Sequence, residues 1–195
     1  METHELEETA LPGQRRFRVR EYYRLAEAGI LNEDERVELL EGVVYEVPPQ
    51  GPSHATLLSE LTYWIQRSVS PEVRVRVQMP LSLTDDSEPE PELAVVTRHE
   101  QQKAEVHPRT ALLVIEASGE SLRRDRGIKR KLYARANVVE YWIAIAEEKK
   151  FEVYTDPDPA AGRYRTMKVV GLGETLTPKA LKGVSIPVSA LFDAM

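Results

Sequence analysis

The stretch Thr110–Ala146, TALLVIEASGESLRRDRGIKRKLYARANVVEYWIAIA, decides the fold. It opens on the apolar run Ala111-Leu112-Leu113-Val114-Ile115, short and bounded by a turn, which reads as a buried strand with the carboxylate Glu116 at its end. Ser118-Gly119-Glu120-Ser121 is turn chemistry, and Ser121 is placed to cap a helix running to about Ala136. Leu122, Ile128, Leu132 and Tyr133 give that helix an apolar stripe. A second apolar run, Tyr141 to Ala146, follows. Strand, helix, strand at this spacing is a βαβ unit with parallel strands and a right-handed crossover. Ligands of open α/β sheets gather at the carboxyl ends of strands, where Glu116 lies.

Working outward, 195 residues suit one domain, expected over residues 14–195, with the polar residues 1–13 as a disordered tail ending in Pro-Gly. No apolar run nears the roughly 20 residues that cross a bilayer. The acidic start METHELEETA lacks the features of a signal peptide, so a cytoplasmic location with no membrane partner is expected. With no cysteine, disulfides, thiolate catalysis and Cys-ligated zinc are excluded. A net charge of -6 argues against coating nucleic acid through the overall field. Positive charge is instead local, in RRDRGIKRKLYAR over residues 123–135. That run is either the solvated face of a helix, with Asp125 and Lys129 as an i,i+4 pair, or a nucleic-acid contact through Arg123, Arg124, Arg126 and Arg130.

The rest of the chain supplies the frame. Phe17 to Ala28 reads as an amphipathic helix stopped by Gly29. Residues 36–47 read as two β-prone segments around Glu41-Gly42, a tight hairpin. Ser53 caps a helix from His54 to about Ser68, with Leu57, Leu58, Leu61, Trp64 and Ile65 on one face. His54 falls in its first turn, where a surface or capping role competes with a catalytic one. Glu72 to Thr84 alternates as a half-buried strand, and the proline-broken acidic run to Pro91 is a loop. Glu92 then heads a short apolar strand to Thr97. After Ala146, strands at Lys150–Thr155 and Arg163–Val170 around a turn at 156–162 form an antiparallel extension. The remaining tail, with a short helix near Ala190–Ala194, is expected to cover a sheet face or edge.

Two carboxylates, Glu92 and Glu116, at the ends of neighbouring buried strands would repel by roughly 4 kcal/mol at 4 Å in an effective dielectric of 20. Either a positive group lies between them or one is protonated. A magnesium or manganese ion completed by water and phosphate is one solution. Separate pairing of each glutamate with an arginine is the other.

The run Leu113–Trp142 closely resembles the signature of the Uma-two-type family of restriction-endonuclease-like proteins, within the PD-(D/E)XK nuclease superfamily. Further matches are Val37–Gly42 with Val43–Pro48, the Ser53-His54 helix start, Pro91–Val96 and Gly183–Phe192. The resemblance covers nearly the whole chain after residue 16. It implies an α/β fold: a restriction-endonuclease-like mixed sheet flanked by helices, with an N-terminal helix and hairpin and a C-terminal antiparallel extension. It also implies a DNA endonuclease using Mg2+ or Mn2+. Glu92 stands where the family usually has aspartate as first metal ligand, Glu116 is the second acid, and the Ala117 backbone carbonyl is a further ligand. The superfamily lysine normally follows its acid by two positions, where this chain has Ser118. Lys129, two turns into the following helix and about 12 Å along its axis, is the candidate for a migrated lysine. Glu38, Gln78, Asp125 and Tyr133 are supporting candidates, each also readable as a solvated, edge, paired or packing residue. An inactive nuclease-fold module that binds nucleic acid or protein, and a homodimer, are the rival expectations.

Overall fold

The computed structural model describes residues 13–32, 34–102, 106–119 and 121–193. Apart from Gly13, the expected tail lies outside them. Helix α1 (Val19–Glu27) precedes a hairpin of β1 (Val37–Leu40) and β2 (Val43–Glu46). The turn residues Glu41 and Gly42 have φ of 46° and 78°, the left-handed pair whose twist suits a two-residue connection. The segment before α1 is tied to this turn, since Phe17 N–H donates to Gly42 O at 2.8 Å. A Cβ at Gly42 would lie 2.5 Å from Arg16 Cβ and 3.0 Å from Phe17 O. Gly42→Ala therefore joins left-handed strain to a steric clash and is expected to cost about 2–4 kcal/mol, read as a lower urea midpoint at unchanged slope.

The main sheet has six strands in the order β3 (Val73–Val77), β4 (Leu93–Thr97), β5 (Leu113–Ser118), β6 (Glu140–Ile145), β7 (Lys150–Asp158) and β8 (Arg163–Val170). The β5–β6 pair is parallel, as the βαβ reading requires, and its neighbours pair antiparallel. Every residue of β5 and β6 is buried, which is what strands covered on both faces show.

Helix α2 (Pro52–Gln66) lays Leu57, Leu58, Leu61 and Ile65 on the face that carries Leu93, Val95, Leu113, Ile115 and Trp142. The tail covers the same face. There β9 (Thr175–Leu176), β10 (Ile186–Pro187) and a helix at Val188–Phe192 bury Leu176, Ile186 and Leu191. The opposite face packs Ala94, Val96, Val114, Tyr141 and Ile143 against Leu132 and Tyr133 of the crossover helix. Among the described residues no helix is long and apolar enough to cross a membrane.

The departures from the sequence reading are local. The cap of α2 is Gly51 rather than Ser53, because Pro52 takes the first helical position, where its missing N–H costs nothing. Strand β3 stops at Val77, seven residues short of the expected Thr84, because Gln78 turns left-handed at φ 50°. Helix α3 (Arg98–Gln101), by contrast, is the polar helical turn that the sequence indicates after β4. Ser118 ends β5 instead of starting the turn. Strand β7 runs through Asp158, so the turn is shorter than 156–162.

The crossover helix is not one uniform helix. It is built of α4 (Leu122–Arg124), a π-helical turn Asp125–Lys129, and α5 (Arg130–Arg135). Ser121 makes no side-chain cap. Its hydroxyl donates to Asp125 Oδ2 at 2.7 Å instead. Gly127, a weak helix former, lies at the centre of the wide turn. The hydroxyl of Tyr141 donates to Asp125 O at 3.2 Å. Such wide turns inside helices recur where side chains must be re-aimed, and here both residues turned inward are charged.

Candidate active site

Continuing the antiparallel registers of β3, β4 and β5 by one residue sets Gln78 opposite Glu92 and Glu92 opposite Glu116. The backbone follows this course: Gln78 N–H donates to Glu92 O at 3.1 Å, and Glu92 N–H donates to Glu116 Oε2 at 3.4 Å. Facing residues on antiparallel strands project from the same side. Two acids distant in sequence thus become neighbours through strand pairing alone.

The crossover helix supplies the positive group. Lys129 Nζ lies 3.1 Å from Glu116 Oε1, 2.9 Å from Glu38 Oε2 and 3.9 Å from Asp125 Oδ1. Lys129 and Glu116 are 5% and 4% exposed, and Glu38 and Asp125 are each 1% exposed. An α-helix two turns long would reach this point only approximately; the π turn helps bring Asp125 and Lys129 inward together. The Ser118 hydroxyl, at the position where the superfamily lysine normally stands, donates to Asp125 Oδ2 at 2.6 Å and so anchors that turn. Asp125 Oδ1 is left buried without a hydrogen bond.

Tyr133 both packs and bonds. Its ring lies 4.9 Å from that of Tyr141, and its hydroxyl donates to Glu116 Oε1 at 2.7 Å. Glu38, delivered by the hairpin, also accepts from Glu90 N–H at 3.3 Å and Arg124 Nη1 at 3.4 Å. Glu92 is held by three side chains. Gln78 and Gln50 each donate to its Oε2 at 3.0 Å, and His54 Nε2 stands 3.0 Å from its Oε1. That places the imidazole nitrogen at ion-pair distance from the carboxylate. Ala117 lies beyond the end of the β4 ladder, beside Glu116.

Three carboxylates around one ammonium leave an excess of negative charge in a dry environment. Burial pushes the Glu116 carboxyl up, to about 8, against the pull of Lys129. Burial works against the Lys129 ammonium too, but Glu116, Glu38 and Asp125 together raise it above its ordinary value. Burial would also raise Glu92, yet His54 and Gln78 hold it below the usual carboxylate range. The two strand-end acids are therefore driven apart, one ionised and one protonated near neutrality, as paired acids of unequal surroundings are.

A stability prediction follows for protein free of divalent ions. Folded Glu116 keeps its proton to about 8 while the unfolded side chain loses it near 4.5, so its contribution is full below the lower value. Stability should fall as pH rises from about 5 to 8. Glu90, raised by burial beside Glu38, adds the same sign. Urea unfolding across that range checks this; Glu116→Gln should flatten the slope.

The basic run is mostly occupied. Arg124 lies over the Tyr45 ring and donates to Glu38, Arg126 pairs with Glu152, and Arg130 lies 5.6 Å from the centre of the Tyr154 ring. Arg123 is exposed. Most of the nucleic-acid contacts expected from this run are thus engaged within the fold.

Sequence reasoning gave Glu38 only a supporting place, although an acid inside the apolar run Val37-Glu38-Leu39-Leu40 signals a buried charge that needs a partner. Gln50 carried no signal.

Among the described residues no group of three or more His, Asp or Glu side chains is arranged to hold a metal ion. The donor set nonetheless suits a hard divalent cation. It offers strand-end carboxylates beside an excess of negative charge, oxygen donors of the kind such a cation takes together with water.

Comparison with known proteins bears on the family and the fold. The model of the Uma2 family, described as "Putative restriction endonuclease", matches residues 19–189. The fold is similar to a crystal structure from Anabaena variabilis ATCC 29413, described as "a putative nuclease belonging to DUF820". The TM-score is 0.71 at 16% identity, over 91% of this chain and 98% of that one. No curated protein matches the chain.

Proposed function

The chain belongs to the Uma2 family, and from that premise we propose that it is a metal-dependent phosphodiesterase acting on DNA, with Glu92, Glu116 and Lys129 carrying the site. The observation that supports this most is Lys129 Nζ within 3.1 Å of Glu116, itself reached by Glu92 N–H. That distance supports reading Lys129 as a lysine displaced in sequence that serves the second acid.

Glu92 and Glu116 would hold magnesium or manganese, with the Ala117 carbonyl and His54 Nε2 as further donors. The bound ion would supply an activated water and charge neutralisation at the scissile phosphate. The chain's own residues do the rest. Glu38 and Asp125 keep Lys129 protonated even while Glu116 holds its proton, so it offers a fixed positive charge where the phosphoryl oxygens gain negative charge. Glu38 and Asp125 restrain its ammonium, and Tyr133 orients Glu116. Gln50 and Gln78 set the rotamer of Glu92, whose extra methylene relative to aspartate would otherwise leave its carboxylate loose. Because Glu116 must shed its proton to hold a cation, cleavage should strengthen as pH rises towards about 8.

One observation favours a second reading, a nuclease fold that binds without cutting. The Glu92 carboxylate already has three side-chain neighbours, which a metal would have to displace or share. Supercoiled plasmid incubated with purified protein separates the two readings. Nicking with magnesium or manganese that EDTA stops is expected. Retarded but intact plasmid at every pH from 6 to 9 would leave the binding module standing.

A further inference from the structure

Apart from the carboxylate cluster, a cavity of about 450 Å³ opens between α1, β3, α3 and residues 106–108. Its floor holds Arg76, only 5% exposed. Nη1 donates to Gln101 Oε1 at 2.6 Å, Nη2 donates to Pro80 O at 3.1 Å, and Nη2 faces His107 Nδ1 at 3.5 Å. Nε is buried with no partner. Gln101 Oε1 and Pro80 O carry no charge, and no carboxylate among the described residues pairs with the guanidinium. Burial accordingly lowers its pKa with no charge opposing the shift.

Among the described residues the acid lining the cavity is Glu88, which is engaged elsewhere: the hydroxyls of Tyr23 and Ser82 each donate to its carboxylate. A buried guanidinium is costly unless paired, and among the described residues Arg76 has no carboxylate partner. An arginine fork with a vacant donor matches an oxyanion. Arg20 lines the same cavity from the exposed side of α1, and Tyr23, Val106 and Pro108 give it apolar wall. The volume is that of a small-molecule site.

We infer that this cavity binds a phosphate-bearing ligand, its oxyanion seated on Arg76 and Arg20 and its organic body against Tyr23, Val106 and Pro108. Two sources offer that chemistry, a free mononucleotide and the 5′-phosphate end of a nucleic acid strand. The inference does not rest on the nuclease reading, since neither Arg76 nor Arg20 belongs to the carboxylate cluster.

The test uses the full chain in EDTA, which prevents cleavage. Calorimetric titration with inorganic phosphate, deoxyadenosine monophosphate, and one oligonucleotide with and without a 5′-phosphate is expected to show binding of the phosphate-bearing probes. The Arg76 Nε–H resonance of 15N-labelled protein should shift in parallel. Arg76→Gln should weaken binding about tenfold or more. Tighter binding of the phosphorylated oligonucleotide than of the mononucleotide assigns the site to a strand end, and the reverse order assigns it to a free nucleotide. No binding of any probe overturns the inference, as does binding that leaves the Nε–H signal in place or is undiminished in folded Arg76→Gln. Should that variant fail to fold, the resonance in the unaltered protein decides the matter alone.

Discussion

Lys129→Met is expected to lower the free energy of unfolding by about 3–5 kcal/mol, the usual cost of removing one partner from a buried ionic cluster. Methionine keeps most of the stem volume, so the loss isolates the charge. What remains is Glu38, Glu116 and Asp125, buried and mutually repelling, with Arg124 reaching Glu38 at 3.4 Å from the rim. Protonation can relieve only part of this. The double variant Lys129→Met/Glu38→Gln should recover a substantial share of the stability, because one carboxylate and its desolvation cost leave together. Urea unfolding of the four members of this cycle measures the coupling directly. A single-variant cost below about 1 kcal/mol would mean the ammonium does not hold the cluster together. Plasmid nicking should be lost in both variants, since restoring the fold does not restore the positive charge.

How legible this arrangement was in the sequence depended on which physical rule carried each part. The βαβ unit was readable because a short apolar run, a polar helix and a second apolar run leave few alternatives, and the parallel β5–β6 pair follows from them. The hairpin was readable because Glu41-Gly42 has the chemistry of a left-handed two-residue turn. The tail was legible as a cover, since its scattered apolar residues needed a surface to bury against.

The errors share a cause. Ser53 has cap chemistry, yet Pro52 fixed that helix start; Ser121 does stand at the N-cap position, but Asp125 claimed its hydroxyl. In each case a neighbour's side chain outweighed a local preference. The π turn had only Gly127 as a signal, and a lone glycine does not distinguish a wide turn from a regular one. Without that turn, Asp125 and Lys129 read as an exposed pair, and the basic run around them as solvated. The site followed the same pattern. Strand order brings Glu92 to Glu116, but nothing local to either residue shows that Glu38 would close the cluster from the hairpin.

Glu116→Gln is expected to separate function from stability in opposite directions. The amide keeps the shape of the side chain and can still accept from Tyr133 and Lys129, so the geometry at 2.7 and 3.1 Å has a close replacement. It cannot ionise. Burial disfavours the carboxylate strongly enough to hold its proton to about 8, so near pH 8 the neutral variant should unfold no more easily than the unaltered protein, and its melting temperature should be equal or higher. Catalysis should fall by at least about 10²-fold, because a neutral oxygen is a poor ligand for a hard cation and cannot offset its charge. Proteins commonly carry such a cost at working sites, where the groups best for chemistry are not those best for the fold. Melting and nicking measured on the same preparation at pH 8 give the result. A variant that melts much lower would make Glu116 a structural partner of Lys129 and Tyr133, and a stable variant that still cuts would remove it from the reaction.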